Sequence, residues 1–126
     1  MKTAAVAITA ALLSSVAGAQ SYPSKSVLIV LPQQAGSATD VMVRLSAQKM
    51  QESLRQSFVM VNLPGAGGLI GAERIANSAP DGYTLGSLND GLLTQVPYLF
   101  PKIPYDAARG FEPVSTVATV SYALIA

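Results

Sequence analysis

The sequence of 126 residues contains no cysteine, no histidine and no tryptophan. Without cysteine the chain can form neither a disulfide nor a thiolate metal site, and without histidine it lacks the side chain that most often serves as general base. A Cys–His catalytic pair is therefore excluded. The G-x-S-x-G and G-K-[ST] patterns of nucleophile and phosphate-binding turns are also missing. We predict that the protein is not an enzyme and that it binds no metal and no cofactor.

The N-terminal residues have the pattern of a cleavable export signal. Lys2 supplies the basic start, residues 4–13 form a short apolar run, and Ala17-Gly18-Ala19 is a cleavage site of small residues. The run is shorter than the roughly 20 apolar residues that span a membrane. We therefore expect residues 1–19 to be a signal peptide, the mature chain to start at Gln20, and the protein to be periplasmic. The absence of cysteine fits an oxidising compartment.

Charge is low and balanced in the mature segment. Lys2 is one of eight basic residues, against seven acidic ones, so its removal with the signal leaves a formal net charge of zero. Binding to nucleic acid depends on a basic surface that neutralises phosphates. We therefore expect no nucleic-acid partner.

Strand-like and helix-like segments alternate along the mature chain. Residues 27–31, 58–61 and 83–85 are apolar and rich in β-branched or aromatic side chains, as in strands. A helix is expected from Ser37-Ala38-Thr39-Asp40 onward, where Ser and Thr can cap its start, and a shorter helix at residues 70–79 ends before Pro80. This order predicts an α/β fold with a parallel sheet flanked by helices, whose ligands bind beyond the carboxyl ends of the strands.

The last part of the sequence is less regular. Residues 92–99 have helical character, and two prolines then introduce an irregular connection. Residues 114–120 and 122–126 have the composition of strands, and the sequence stops within the second of these apolar runs. We interpret this as a chain that continues in the complete protein.

The strongest candidate for a site is the glycine-rich segment 64–71, which leads from the second strand into a helix. Such a turn can leave backbone N–H groups free to bind an anion, or its glycines can simply allow positive φ and close packing. A dinucleotide fingerprint, G-x-G-x-x-G, is a further alternative: Gly65 and Gly67 fit it, Gly71 comes one residue late, and Asp90 stands where a ribose-binding acid is expected.

A second segment, residues 36–40, follows the first strand and could join the glycine-rich loop around one anionic group. Two helix N-termini would then bind a carboxylate through N–H and hydroxyl groups, without a charged side chain. Asp40 would repel an anion if exposed to it, so its default role is helix capping, and the alternatives are that it accepts a ligand hydroxyl or ammonium group or positions a water. The predicted ligand-binding residues are Gly36, Ser37, Ala38, Thr39, Asp40, Gly65, Ala66, Gly67, Gly68, Ser87 and Asn89.

Several segments together resemble the extracytoplasmic receptors of tripartite tricarboxylate transporters, the Bug-type solute-binding proteins. The resemblance covers nearly the whole mature segment, at residues 22–25, 36–40, 62–73, 79–85, 99–106 and 111–114. Ser37 stands where the family usually has a second glycine, which places a side chain beside the proposed anion site.

The resemblance implies a periplasmic-binding-protein fold of type II, with two lobes that close around a small organic acid and present it to membrane transporter subunits. It implies no reaction and no cofactor. Residues 20–113 then form the N-terminal part of lobe 1, and residues 114–126 begin the crossover toward lobe 2. Two alternatives from other classes are a nucleotide-cofactor-binding oxidoreductase domain and an exported interaction module.

Overall fold

The computed structural model of the chain describes residues 21–119 and 121. Within them lies a three-stranded parallel sheet of order β2-β1-β3. The strands are β1 (Val27–Leu31), β2 (Phe58–Asn62) and β3 (Thr84–Gly86). The helices are α1 (Ala38–Leu54), α2 (Leu69–Ala76), α3 (Asp90–Thr94) and α4 (Val96–Leu99), and a 3₁₀ turn, Ala66–Gly68, precedes α2. The predicted α/β fold with a parallel sheet flanked by helices is confirmed.

The central strand β1 is buried from both sides. Val27, Ile29 and Leu31 pack with Val43 and Ala47 of α1 in one core. Val30 points the opposite way by strand alternation and is also buried. This explains why the strand reads as an unbroken apolar run rather than as an alternating one.

Helix α2 covers the other face of the sheet. Gly86 leaves room there for the side chain of Ile75, which a Cβ at Gly86 would meet at 2.6 Å. Gly86 pairs with Val30, so α2 lies over β1 and β3. The chain crosses from β1 outward to β2 and then back past β1 to β3, and since such crossovers are almost always right-handed, α1 and α2 are expected on opposite faces, as their packing shows. All three carboxyl strand ends therefore meet along one edge.

Two sequence expectations about secondary structure are wrong in part. The second helix ends at Ala76 rather than at residue 79, because Pro80 disfavours helical conformation in the residue before it and Ser78 Oγ donates to Arg74 O instead. Residues 114–119 form no strand. Apolar, β-branched composition favours a strand only where a neighbouring strand offers backbone partners, and none is paired with this segment in the described part.

The predicted signal peptide, residues 1–19, lies outside the described residues, as do Val120 and residues 122–126. Among the helices that the structure describes, none combines the length and the hydropathy required to cross a membrane.

Candidate functional site

A cavity of about 570 Å³ opens at the carboxyl edge of the sheet. Its walls come from the start of α1, from the segment that follows β3, and from residues 115–119, which run past both. The lining residues are Ala38, Thr39, Met42, Val43, Gly86, Ser87, Leu88, Asn89, Asp90, Ser115, Thr116, Val117, Ala118 and Thr119. The cavity lies where an α/β sheet is expected to bind its ligand.

The N-terminus of α1 supplies unused donors to this cavity. Ser37 is the N-cap, and its Oγ accepts a hydrogen bond from Asp40 N–H at 3.2 Å. The prediction that Ser37 can cap this helix is confirmed. Ala38 and Thr39 line the cavity, and among the described residues no acceptor is hydrogen-bonded to their backbone N–H groups. The N-terminus of this seventeen-residue helix, with the positive end of its dipole, therefore borders the cavity.

Hydroxyl groups add further neutral donors to the lining. The hydroxyls of Thr39 and Ser87 have no hydrogen-bond partner within residues 21–119. Asn89 lines the same cavity, but its Oδ1 accepts from Leu92 N–H at 3.0 Å and so caps α3. Among the described residues, the lining contains no lysine or arginine, and Asp90 is the charged residue in it. Recognition of an anion by this wall therefore relies on neutral donors.

Asp40 lies behind the lining and is 3 % exposed. Its Oδ2 accepts from Arg44 Nε and Gly36 N–H, both at 2.9 Å, and its Oδ1 accepts from Asn62 Nδ2 at 3.0 Å. The hydrogen bond from Arg44, followed by those from Gly36 and Asn62, lowers the pKa of Asp40 well below its usual range. The carboxylate is ionised and fully engaged within the protein, where it links the loop before α1 to the helix and to β2, while Ser37 is the N-cap.

The glycine-rich loop is closely packed at Gly65 and Gly68 and open at Gly67, where an added Cβ would meet nothing within 4 Å. Gly65, Gly67 and Gly68 have positive φ, and a Cβ at Gly68 would approach Leu92 and Pro32 within 3.1–3.3 Å. None of Gly65, Ala66, Gly67 and Gly68 lines the cavity. The two loops therefore do not share it, and a ligand-binding role of the second loop stays a prediction without this support. The sequence offered two interpretations of these glycines, anion binding or positive φ with close packing, and the geometry agrees with the second.

Some residues of the site have no counterpart among those predicted from sequence. Met42 and residues 115–119 line the cavity, and Asn62 and Arg44 are hydrogen-bonded to each other outside its lining. For Asn62 a signal existed, because a polar residue at the carboxyl end of a strand lies at the binding edge. Within the described ranges, no group of three acidic side chains is close enough to bind a metal ion.

A parallel α/β sheet whose carboxyl edge opens into a cavity beside a helix N-terminus is the arrangement in which α/β proteins bind small ligands. Residues 42–126 match the model of the tripartite tricarboxylate transporter family receptor. The chain belongs to this family of solute-binding receptors, and its fold is part of that of the periplasmic binding proteins.

Known relatives place this chain within a longer architecture. BugT of Bordetella pertussis is 39% identical over 94% of this chain and 36% of its own length. MatC from Rhodopseudomonas palustris, solved with bound malate, has a TM-score of 0.69 and 38% identity over 74% of this chain and 32% of its own. R. palustris Rpa4515, solved with adipate, has a TM-score of 0.66 and 33% identity over 69% and 29% of the respective chains. The chain spans about a third of the length of the curated relatives it matches.

Proposed function

We propose that the chain is part of a periplasmic receptor that captures a small organic carboxylate for a transporter of the tripartite tricarboxylate type. In this proposal residues 1–19 direct export and are removed, and membrane transporter subunits receive the loaded protein. The protein performs no reaction. The observation that carries the proposal is the cavity at the carboxyl edge of the sheet, lined by Ala38 and Thr39 at the start of α1, whose N–H groups have no hydrogen-bond acceptor within residues 21–119.

The chemistry of the wall suits a carboxylate. Backbone N–H groups at a helix start, the hydroxyls of Thr39 and Ser87, and the helix dipole all favour a negative group. Asp90 at the rim disfavours excess negative charge and can accept a hydrogen bond from a ligand hydroxyl. Malate and adipate, found with two structural relatives, are carboxylates of a size that the cavity can admit, and they are the first ligands to test.

Residues 20–113 are proposed to form the N-terminal part of lobe 1, with residues 114–126 beginning the crossover to lobe 2. Residues 115–119 pass along the cavity without pairing to the sheet, which suits a segment that leaves one lobe for another. The first experiment is therefore to sequence the gene past the codon for Ala126. An open frame that continues the α/β pattern supports a working receptor, whereas an immediate stop codon rules out a transport role for this copy.

Ligand binding is tested on protein expressed from the complete reading frame, with copurified ligand removed by unfolding and refolding. Thermal shifts are measured with malate, adipate and related acids, and with NADH. Stabilisation by an acid and not by NADH supports the receptor. A shift with NADH alone supports an oxidoreductase domain, and a cooperative melt without any ligand response supports an interaction module.

A proline at Ala38 tests the helix N-terminus directly. Ala38 is the first helical residue, where proline is favoured, and Ser37 before it has φ −66° and ψ 159°, which proline tolerates. Ala38→Pro removes a single unpaired N–H and should leave stability intact. Losing one charge-assisted hydrogen bond should weaken carboxylate binding by roughly 10- to 100-fold.

Ala38→Val is the matched control, because it adds similar bulk at the cavity wall and retains the N–H. Affinity close to that of the wild type in Ala38→Val, together with a loss in Ala38→Pro, assigns the ligand contact to the N–H group. Equal losses in both variants contradict that assignment and indicate a steric effect.

A further inference from the structure

The side-chain amide of Asn62, the last residue of β2, lies beneath the cavity and has all its hydrogen-bonding groups engaged. Its Nδ2 donates to Gln33 O at 3.1 Å and to Asp40 Oδ1 at 3.0 Å, and its Oδ1 accepts from Arg44 Nη2 at 3.0 Å. Both N–H groups of the amide therefore donate to oxygen atoms, and its oxygen accepts from a guanidinium N–H. The opposite amide orientation would place its oxygen against two other oxygens, so the contacts fix the side chain in one orientation.

These contacts attach the end of β2 to both ends of the loop that joins β1 to α1. Gln33 is the second residue of this loop, after Pro32, and Asp40 lies in the first turn of the helix that follows it. Asp40 in turn accepts from Gly36 N–H, at the middle of the loop, where φ is +81°. The Asn62 amide therefore holds the start of the loop through Gln33. Through Asp40 it also holds the end of the loop, where the chain enters α1.

The same cluster reaches the third strand. Gln33 Nε2 donates to Ser87 O at 3.2 Å, and Ser87 follows β3 and lines the cavity. The polar chain from Asn62 through Gln33 to Ser87 thus spans the carboxyl ends of all three strands. Ala38, Thr39 and Ser87, which line the cavity, all follow directly from segments that this cluster anchors.

We propose that Asn62 is a positioning residue, which fixes the loop of residues 33–37 and thereby aims the N–H groups of Ala38 and Thr39 at the ligand. Asn62 does not line the cavity itself, so it acts through the loop. This inference rests on the proposed carboxylate-binding function. Its structural part, control of the loop by Asn62, can be measured without any ligand.

The first test is hydrogen exchange at the Gly36 amide in Asn62→Ala, with the complete protein. Removal of the amide releases Asp40 Oδ1 and Gln33 O, so exchange at Gly36 should accelerate by about tenfold or more. The Leu28 N–H donates to Tyr83 O at 2.9 Å in the sheet. Its exchange should change only by as much as the variant lowers the free energy of global unfolding. Ile29→Val is the matched control, because it destabilises the core without touching the polar cluster.

The second test is affinity for whichever acid of the malate and adipate panel binds the wild type most tightly. Asn62→Ala should lose about tenfold in affinity. The Ile29→Val control, compared at equal loss of unfolding free energy, should bind as the wild type does. A role confined to general stability predicts that both variants bind equally well.

Asn62→Asp adds a signature that stability alone does not produce. At neutral pH the new carboxylate still accepts from Arg44 but faces Asp40 Oδ1 and Gln33 O without a proton to donate. Two carboxylates in contact share a proton as the pH falls. The affinity of this variant relative to the wild type should therefore be low at pH 7 and recover at about pH 5.

Unchanged exchange at Gly36 in Asn62→Ala overturns the proposal, and so does faster exchange at Gly36 with undiminished affinity. A variant Asn62→Asp that shows no recovery in acid also counts against it. If no acid binds the wild type, the proposed function fails, while the exchange at Gly36 still decides whether Asn62 controls the loop.

Discussion

Gly71, in the first turns of α2, sets how closely this helix approaches the end of β1. A Cβ added at Gly71 would lie 2.8 Å from Pro32 Cα and 2.9 Å from Leu63 O, both backbone atoms. The contact with Pro32 is about 0.7 Å shorter than the separation at which two carbon atoms attract best. Because neither atom belongs to a flexible side chain, Gly71→Ala must displace the helix or the strand end.

Gly71→Ala changes the free energy of unfolding in two opposite ways. Alanine is better than glycine inside a helix by about 1 kcal/mol, whereas overpacking against a fixed backbone costs about 1–3 kcal/mol, and contact with two backbone atoms favours the upper part of that range. Gly71→Ala should therefore lower the unfolding free energy by about 1–2 kcal/mol. Urea unfolding of the complete protein, followed by circular dichroism, measures this difference.

Gly91 in α3 provides the matched control. An added Cβ there would meet its nearest neighbour, Asn89 Oδ1, at 3.5 Å, which is ordinary contact. Gly91→Ala should therefore stabilise the protein by about 0.5–1 kcal/mol. If Gly71→Ala were as stable as Gly91→Ala, the close approach of α2 to Pro32 would not exist and the packing role of the glycine-rich segment would be refuted.

Two further predictions concern buried polar groups. Tyr105→Phe should lower the unfolding free energy by about 1–2 kcal/mol and leave acid binding unchanged, because Tyr105 Oη donates to Leu92 O at 2.6 Å within a core away from the cavity. The pKa of Asp40 is lower in the folded than in the unfolded protein, mainly through Arg44, so its stabilising effect is complete well above the unfolded value of 3.8 and is lost as the pH falls below it. Asp40→Asn should therefore reduce the fall of the urea midpoint between about pH 5 and pH 3, and an unaltered slope would contradict this assignment.

Local patterns in the sequence were sufficient to predict the main elements of the fold. The unbroken apolar run of residues 27–31 identified a central strand, because only a strand covered on both faces needs apolar side chains in both directions. Ser37 identified the start of α1, because a hydroxyl can accept the N–H that the first turn leaves unpaired. Each of these signals depends on neighbours within a few residues.

Features that depend on distant residues were not predicted. Asn62 contacts Gln33, Asp40 and Arg44, which lie 18 to 29 positions away in the sequence, and no local pattern encodes those contacts. Residues 114–119 show the converse case, in which a local pattern predicted a strand that the structure does not contain. Their composition favours a strand, but a strand also needs a partner, and in the described structure residues 115–119 line a cavity instead.

The two glycine-containing loops look alike in sequence, yet they contribute to the site in different ways. The loop before α1 is open at Gly36, where an added Cβ would meet nothing within 4 Å, and it leads to the N–H groups that line the cavity. The loop before α2 and the first turn of that helix pack closely on the end of the central strand, because Gly68 and Gly71 both lie against Pro32. Pro32 follows the last residue of β1 and directly precedes Gln33. Gly68 and Gly71 therefore contact the start of the loop that leads to α1. A substitution at Gly71 should therefore disturb ligand binding through Pro32 as well as stability, even though Gly71 does not line the cavity.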